Sequence, residues 1–254
     1  MRTGETEEDI FGSVTEAQWM ALSKARIYFG HQSVGNDILG GIRDILRSSE
    51  FKIHLTIEDG NTSDSNRNGV ILHGTIGENG VPDSKLSDFS LKITSINNLD
   101  IALMKFCYID FDAQTNAEKL FAQYKEAMII LQKKVPGIRI AHVTVPLTSY
   151  HPGWKAAIKR LLGRTDAGLD ANIGRNAYNS LLVREYAGKE PVFDLAALES
   201  TTPDGKRTSF QYAGESVFYL SPSYTSDGGH LNEIGRRKVA KGFLAFLAKL
   251  AESR

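Results

Sequence analysis

Short runs of Ile, Val, Phe and Leu alternate along the chain with longer segments in which apolar residues recur at helical spacing. The runs have the length of strands buried on both faces, and they cover residues 25–29, 51–57, 101–109, 139–145 and 192–195. Helical periodicity predicts helices over residues 83–96, 116–134, 172–186 and 232–251. This alternation predicts an α/β fold, a three-layer sandwich whose mainly parallel sheet is covered by helices on both faces.

Two segments interrupt this alternation, and both are expected to lie near a ligand site. Residues 59–82 are rich in Gly, Asn and Ser and are long for an ordinary connection, and residues 148–170 leave the strand–helix pattern. In such folds long loops cover the carboxyl ends of the strands, where ligands bind. Residues 206–220 predict a hairpin that turns at Ala213-Gly214-Glu215.

The sequence contains no repeat, low-complexity tract or linker. We therefore expect an N-terminal extension over residues 1–20 and one domain over residues 21–254. Composition changes this picture little. The 30 basic and 30 acidic residues give a formal net charge of zero, and without a basic stripe nucleic acid is not an expected partner. No apolar run reaches membrane-spanning length.

Cys107 is the only cysteine, which excludes an internal disulfide and a cysteine-based metal site. At the end of an apolar strand it is expected to be a small buried apolar residue. The first nine residues are polar and acidic, unlike a signal peptide. Cellular location stays open between the cytoplasm and an exported protein whose signal has been removed, and an extracytoplasmic location (periplasmic or secreted) is preferred.

Candidate chemistry is concentrated near the C-terminus, in the segment Tyr224-Thr-Ser-Asp-Gly-Gly-His-Leu-Asn-Glu-Ile-Gly235. Asp227 and His230 lie three residues apart on a glycine turn just before the last predicted helix. A catalytic histidine must be held in one orientation and one tautomer, and a carboxylate bonded to its ring N–H does both. The pair is thus a candidate general base with its orienting carboxylate.

A candidate nucleophile lies near the other end of the chain. The first predicted strand runs into Gly30-His-Gln-Ser-Val-Gly35 and then a helical segment that begins near Asn36. A serine on a strand-to-helix turn is exposed beside backbone N–H groups that can stabilise an oxyanion. Ser33 is therefore the candidate nucleophile, and the alternative is that it only caps the following helix.

The chain has a serine after the first strand and Asp-x-x-His before the last helix, and in this order it resembles the SGNH (GDSL-type) hydrolase superfamily over nearly its whole length. The segment Asp227-Gly-Gly-His-Leu-Asn-x-x-Gly235 matches the last motif block of that superfamily closely. The resemblance implies a flavodoxin-like fold and an esterase, lipase, thioesterase or carbohydrate O-acetyl esterase activity. It also implies that Ser33 is the nucleophile, His230 the general base and acid, and Asp227 its orienter.

The chain departs from the family pattern in two blocks. The first usually reads Gly-Asp-Ser, whereas His31 and Gln32 precede the serine here. In the third, Gly-x-Asn-Asp, alignment on Asp100 places Ile109 where the family has the Asn that donates to the oxyanion. Losing one such donor costs on the order of 10²–10³ in turnover. The possible substitutes are Tyr108, Lys105, Asn36 and Asn79.

The second block supplies a glycine whose N–H lines the oxyanion hole. Gly77 is preferred over Gly74 for this role, and the alternative is a flexible loop glycine. His31, His73 and Gln32 lie in the same region and are expected to contact substrate or to form a polar network. Since no spacing typical of metal ligands is present, neither a metal nor another cofactor is expected.

The predicted function is ester hydrolysis through an acyl-enzyme on Ser33, acting on a small-molecule or carbohydrate ester. Acetyl groups on a carbohydrate are preferred, from the family resemblance and because Tyr150 and Trp154 could stack on a sugar ring, although such residues more often cap cores under long loops. One alternative is a non-catalytic SGNH-like domain that binds a polysaccharide or an envelope assembly partner. Another is acyl transfer to an alcohol. The oligomeric state stays open.

Overall fold

A six-stranded parallel sheet forms the centre of the computed structural model, which describes residues 11–48, 53–60, 68–150 and 167–253. Its strands are β1 (Arg26–His31), β2 (Thr56–Asp59), β3 (Val70–Thr75), β4 (Ile101–Met104), β5 (Arg139–Val143) and β6 (Val192–Phe193). They are ordered β2-β3-β1-β4-β5-β6, and every neighbouring pair is parallel. The predicted parallel sheet is confirmed.

Helices cover both faces of this sheet, which confirms the three-layer α/β sandwich. They are α1 (Glu16–Leu22), α2 (Ser33–Arg47), α3 (Pro82–Ser95), α4 (Ala117–Lys134), α5 (Ala167–Tyr186), α6 (Leu195–Ser200) and α7 (Glu233–Glu252). Strand side chains alternate between the faces. Phe29 of β1 belongs to the apolar cluster with α2 and α7, whereas its neighbour Tyr28 belongs to the cluster with α3, α4 and α5.

The N-terminal helix α1 packs on α7. Thr15 caps it and forms a capping box with Gln18, in which each side chain bonds the other residue's backbone N–H. The predicted boundary between residues 20 and 21 falls inside this helix. Among the described residues, no helix combines the length and the apolar character needed to span a membrane.

The main difference from the predicted elements is β3, which lies inside residues 59–82, a segment expected to be one long connection. Val70, Ile71 and Leu72 form a short apolar run that is buried between β2 and β1. Because Gly, Asn and Ser residues surround this run, the hydrophobic pattern of the sequence does not indicate a strand there. The expectation of a single over-long loop is therefore wrong, since the segment supplies a core strand.

Three predicted strands end earlier than expected, and β5 is shortened least, ending at Val143 rather than at residue 145. The β4 strand ends at Met104 rather than at residue 109, because the chain turns into a 3₁₀ helix at Tyr108–Asp110. The last strand ends at Phe193, and Asp194 caps α6 by accepting the N–H of Ala197 at 3.0 Å. At the end of β4, Asp110 accepts the N–H of Cys107, a residue that the predicted strand would have included.

The predicted hairpin is confirmed as β7 (Ser209–Tyr212) and β8 (Glu215–Phe218), which turn through positive φ at Ala213 and Gly214. Tyr150 is buried against this hairpin, with ring centroids 5.2 Å from Phe210. The suggestion that Tyr150 stacks on a sugar is therefore wrong, because its ring is already covered. Trp154 lies outside the described residues.

Helices α2 and α7 bring the two ends of the chain together, since α2 begins at Ser33 and α7 begins three residues after His230. The helices pack closely at Gly41. A Cβ added there would lie 2.5 Å from the carbonyl oxygen of Arg236 and 2.8 Å from the Cβ of Ala240. The side chains of Asp44 and Arg236 also form an exposed ion pair of 2.8 Å across the same interface.

Gly41 and its neighbour Gly40 provide a matched test of this packing. We expect Gly41→Ala to lower the free energy of unfolding by about 1–3 kcal/mol, because the methyl group would push α2 away from α7. Gly40→Ala should raise it by about 0.5–1 kcal/mol, since nothing lies within 4 Å of an added Cβ and alanine favours the helix. Urea unfolding of both variants checks this, and equal effects would contradict the packing argument.

Candidate active site

Ser33 stands at the carboxyl end of β1, the strand between β3 and β4, as the first residue of α2. Gln32 is the N-cap and makes no side-chain capping bond. The alternative that Ser33 only caps the helix is therefore not what the structure shows. Instead, the hydroxyl Oγ of Ser33 lies 3.0 Å from Nε2 of His230.

Asp227 organises the turn that carries His230. Its Oδ1 accepts the backbone N–H groups of Gly229 at 2.9 Å and His230 at 2.8 Å, and its Oδ2 lies 2.6 Å from Nδ1 of His230. The N–H of Gly229 and the bond to the His230 ring hold the pKa of Asp227 well below its usual range. An ionised Asp227 accepts the Nδ1–H, so the Nε2 lone pair of His230 faces Ser33.

Asp37 connects the turn that carries His230 to helix α2, which begins at Ser33. It lies one helical turn after Ser33, and its Oδ2 accepts the backbone N–H of Leu231 at 3.1 Å. Burial raises the pKa of Asp37. Sequence reasoning missed this residue, although its position four residues after Ser33 places it on the same helix face. The side chain of Asn232 then caps α7 by accepting the N–H of Gly235 at 3.0 Å.

The glycines proposed for the oxyanion hole are engaged elsewhere. Gly77 adopts a φ of +51°, and a Cβ there would lie 2.5 Å from the backbone N of Lys85, so glycine is required. Its N–H, however, donates to Oδ2 of Asp88 at 3.0 Å. Gly74 lies inside β3, paired with Gly30. Asp88 thus occupies the N–H of Gly77 in this structure, and an oxyanion role for either glycine stays a prediction.

The proposed substitutes for the family's Asn occupy very different surroundings. Ile109 is 49% exposed, and Asn36 is exposed in the first turn of α2. Asn79 is also exposed, and its Oδ1 accepts a bond from Nζ of Lys85 at 3.0 Å. Lys105 is fully buried, and burial lowers its pKa to about 8. Lys105 therefore cannot reach a substrate in this structure.

Tyr108 is the candidate that contacts His230. Its ring stands edge-on to the imidazole of His230, with centroids 5.9 Å apart and planes at 74°. Burial raises the pKa of its hydroxyl. Arg175 holds its backbone carbonyl through Nε at 3.1 Å and Nη2 at 2.9 Å.

A buried ion pair fixes the loops on this side of the site. Asp110 and Lys85 are both fully buried and pair at 2.6 Å. Asp110 also accepts the backbone N–H groups of Cys107 at 2.7 Å and Gly80 at 2.8 Å. One carboxylate thus joins the turn after β4 to the loop after β3. Cys107 is buried, as the sequence predicted.

A chain of hydrogen bonds runs from His31, two residues before Ser33, through His73 to Arg43. Nδ1 of His31 donates to the carbonyl of Gln32 at 2.8 Å, so its Nε2 accepts from Nδ1 of His73 at 3.1 Å. Nε2 of His73 then accepts from Arg43 at 3.4 Å. Every bond is satisfied when both rings are neutral, and burial lowers the pKa of His31 to about 3 and lowers that of His73.

His31 is thus a buried part of a polar network rather than a substrate contact. Gln32 is engaged as well, because its side-chain NH₂ donates to the carbonyls of Ile76 at 2.7 Å and Gly77 at 3.0 Å. Across the described ranges, no three His, Cys, Asp or Glu side chains are grouped so that they could hold a metal ion.

The His31 network predicts a specific dependence of stability on pH. The unfolded imidazole is protonated below about pH 6.5, whereas the buried ring stays neutral down to about pH 3. The unfolded state therefore binds more protons between these values. The free energy of unfolding should fall by up to about 1.4 kcal/mol per pH unit of acidification because of this one group.

Urea unfolding from pH 7 to pH 4 tests this dependence. His31→Asn, whose side-chain amide can still donate to the carbonyl of Gln32, should show a flatter decline than the parent protein. The exposed His54 serves as control, since His54→Asn should keep the parent's slope. Equal slopes for all three proteins would show that His31 does not contribute in this way.

Comparison with known proteins identifies the fold. No family model matches the sequence, and neither does any curated protein. A candidate acylhydrolase from Bacteroides fragilis is similar in structure at 15% identity and a TM-score of 0.54, covering 92% of this chain and 94% of its own. A GDSL-like lipase from Bacteroides thetaiotaomicron is similar at 13% identity and a TM-score of 0.53, and the match covers 91% of this chain and 89% of the lipase. The chain therefore has the three-layer α/β fold of these two proteins, in a sequence that diverges widely from theirs.

Proposed function

We propose that the protein is a serine hydrolase that cleaves an ester through an acyl-enzyme on Ser33. The observation that carries this proposal is the continuous chain from Oγ of Ser33 through His230 to the carboxylate of Asp227, with bonds of 3.0 and 2.6 Å. A serine in contact with a base, itself oriented by a carboxylate, is the arrangement that activates a weak hydroxyl nucleophile.

Each step of the reaction uses this chain. Nε2 of His230 takes the proton of Ser33 while Oγ attacks the ester carbonyl carbon, and Asp227 stabilises the imidazolium that forms. The tetrahedral intermediate collapses, and the leaving alcohol receives the proton from His230. Water, deprotonated by the same nitrogen, then attacks the acyl group, and Ser33 leaves with the proton as the acid is released.

Stabilisation of the oxyanion is the weaker half of the proposed site. The N–H of Ser33 is the first of α2, a position that has no acceptor within a helix, and it lies near the positive end of the helix dipole. Ile109 offers no donor, and the N–H of Gly77 is bonded to Asp88. We therefore expect turnover below that of a site with three donors.

The exposure of the site supports hydrolysis rather than transfer to another alcohol. The side chains of His230 and Asp227 are 41% and 57% exposed, so water can reach the acyl-enzyme. The names of the two structural relatives, an acylhydrolase and a lipase, also fit acyl esters. The substrate is a small-molecule or carbohydrate ester in this proposal, with O-acetyl groups preferred from the family resemblance.

A second candidate function is binding without catalysis, as a domain that recognises a polysaccharide or an envelope assembly partner. The specific observation in its favour is the oxyanion side, where Ile109 is exposed and the N–H of Gly77 is occupied. The same experiment separates the two functions, because only a hydrolase reacts covalently at Ser33.

Labelling with a fluorophosphonate and hydrolysis of p-nitrophenyl acetate test the hydrolase proposal. The parent should be labelled, and Ser33→Ala and His230→Ala should each lower kcat by on the order of 10⁶-fold, because they remove the nucleophile and its base. Ser95→Ala is a matched control. Its exposed hydroxyl, at the far end of α3, bonds only to the carbonyl of Lys92 at 2.8 Å.

Absence of labelling in the parent would reject the hydrolase proposal and favour the binding domain, whereas labelling that survives in Ser33→Ala would show that the nucleophile is another residue. A panel of acetylated sugars and longer acyl esters then tests the preferred substrate. Equal or better turnover of the longer acyl esters would contradict the O-acetyl preference while leaving the ester hydrolase intact.

Ile109 provides a test of the oxyanion side. Ile109→Asn restores an amide donor at the position where the family has one, and it should raise kcat by up to about 10²-fold. Ile109→Leu, which changes shape without adding a donor, is the control and should not raise kcat. Steady-state kinetics with p-nitrophenyl acetate measure both. An unchanged kcat in Ile109→Asn would show that position 109 does not face the developing oxyanion.

A further inference from the structure

The two glycines between Asp227 and His230 are required for different reasons. Gly228 has a φ of +89°, which disfavours any side chain, yet nothing lies within 4 Å of an added Cβ. Gly229 has no such backbone restriction. Its Cβ would instead lie 2.9 Å from both Cζ and Oη of Tyr108. The space that a side chain at position 229 would need is thus occupied by the end of the Tyr108 ring.

Tyr108 is held in this place from its own backbone. Tyr108 is the first residue of the 3₁₀ turn after β4. The N–H of the N-cap residue before it, Cys107, donates to the buried carboxylate of Asp110. The carbonyl of Tyr108 accepts two bonds from the guanidinium of Arg175, which is itself only 4% exposed. The guanidinium carbon also lies 5.8 Å from the centroid of the Tyr108 ring. These contacts hold the backbone from which the Tyr108 ring reaches the histidine turn.

The histidine needs such a support. Its imidazole is bonded at both nitrogens, to Asp227 and to Ser33, but the side chain is 41% exposed. Two bonds along one line leave the ring free to tilt about that line, and loss of alignment costs rate even for small displacements. The edge of Tyr108, with planes at 74° and centroids 5.9 Å apart, covers one side of the ring, in the geometry preferred by aromatic pairs.

We propose that Tyr108 is a positioning residue that holds the imidazole of His230 in the plane where Nε2 faces Ser33, and that Gly229 is glycine to admit its ring. This inference rests on the proposed function, in which His230 is the base. It assigns to Tyr108 a packing role through the ring, distinct from donation of its hydroxyl to an oxyanion. Gly228, by contrast, serves the backbone of the turn alone.

Kinetics of single and double variants test the coupling. Tyr108→Ala should lower kcat by about 10- to 100-fold with KM changed less than about twofold, because the base loses its alignment. Tyr108→Phe keeps the ring edge and should recover most of that loss. Gly229→Ala should lower kcat by a similar factor. The double variant Gly229→Ala/Tyr108→Ala should be no worse than Tyr108→Ala, since the methyl group no longer meets a ring.

Gly228→Ala is the matched control for this cycle. It strains the backbone of the same turn, but its added Cβ meets nothing. Removal of the Tyr108 ring should therefore not relieve the effect of Gly228→Ala, and the two losses should multiply. Multiplying losses for Gly229→Ala and Tyr108→Ala would overturn the proposal. So would a loss in Tyr108→Phe equal to that in Tyr108→Ala, which would assign the role to the hydroxyl.

A readout independent of turnover separates this proposal from failure of the hydrolase proposal. The His230 Nδ1–H bonded to Asp227 should give a downfield proton resonance, which can be recorded even in Ser33→Ala. We expect it to be sharp in the parent and in Tyr108→Phe, and broadened or absent in Tyr108→Ala and Gly229→Ala. An unchanged resonance in Tyr108→Ala overturns the positioning role, whether or not the parent hydrolyses esters.

Discussion

The close approach of α2 and α7 is the constraint on which the candidate site depends. Ser33 and His230 are 197 residues apart in the chain, and they meet because each lies at the start, or just before the start, of one of these two helices. Gly41 allows the helix backbones to come together at Arg236 and Ala240. The hydrogen bond from the N–H of Leu231 to Asp37 then holds the turn of His230 against α2, the helix that begins at Ser33. The exposed Asp44–Arg236 pair adds little, since surface ion pairs contribute about 0–1 kcal/mol.

The two halves of the site are built to different degrees. The acid–base half is complete, because Asp227 accepts two backbone N–H groups besides the ring of His230 and is thereby kept ionised. On the oxyanion side, the carboxylates make structural contacts. Asp88 accepts the N–H of Gly77, and Asp110 joins two loops through its ion pair with Lys85. A buried ion pair is weak evidence for stability by itself. Its consequence here is conformational, since it sets the position of the turn that carries Tyr108 and Ile109.

Regular elements could be predicted wherever the hydrophobic period was long. The helix over Ala117–Lys134 and the strand over Arg139–Val143 follow from local patterning, because the helix buries residues at helical spacing and the strand is a short, mainly apolar run buried at four successive positions. The strand Val70–Thr75 was missed, since only its first three residues form an apolar run, within a segment rich in Gly, Asn and Ser. The extent of β4 was overestimated for another reason. Residues 105–107 are as buried as the strand itself, but Asp110 captures the N–H of Cys107 and ends the ladder.

Residue types and order alone determined the α/β class, the pairing of Asp227 with His230 and the choice of Ser33. These features depend on local spacing, on a short glycine turn and on a strand-to-helix junction. Tertiary structure alone decided which polar groups are free. The N–H of Gly77 is occupied by a carboxylate eleven residues away, His31 and Lys105 are buried, and Tyr150 is covered by a hairpin. The difference between Gly228 and Gly229 is of the same kind, because the space beside a glycine is set by a residue distant in sequence, here Tyr108. Hydrogen bonds and burial between distant segments leave no local pattern, and they decide here which groups can act on a substrate.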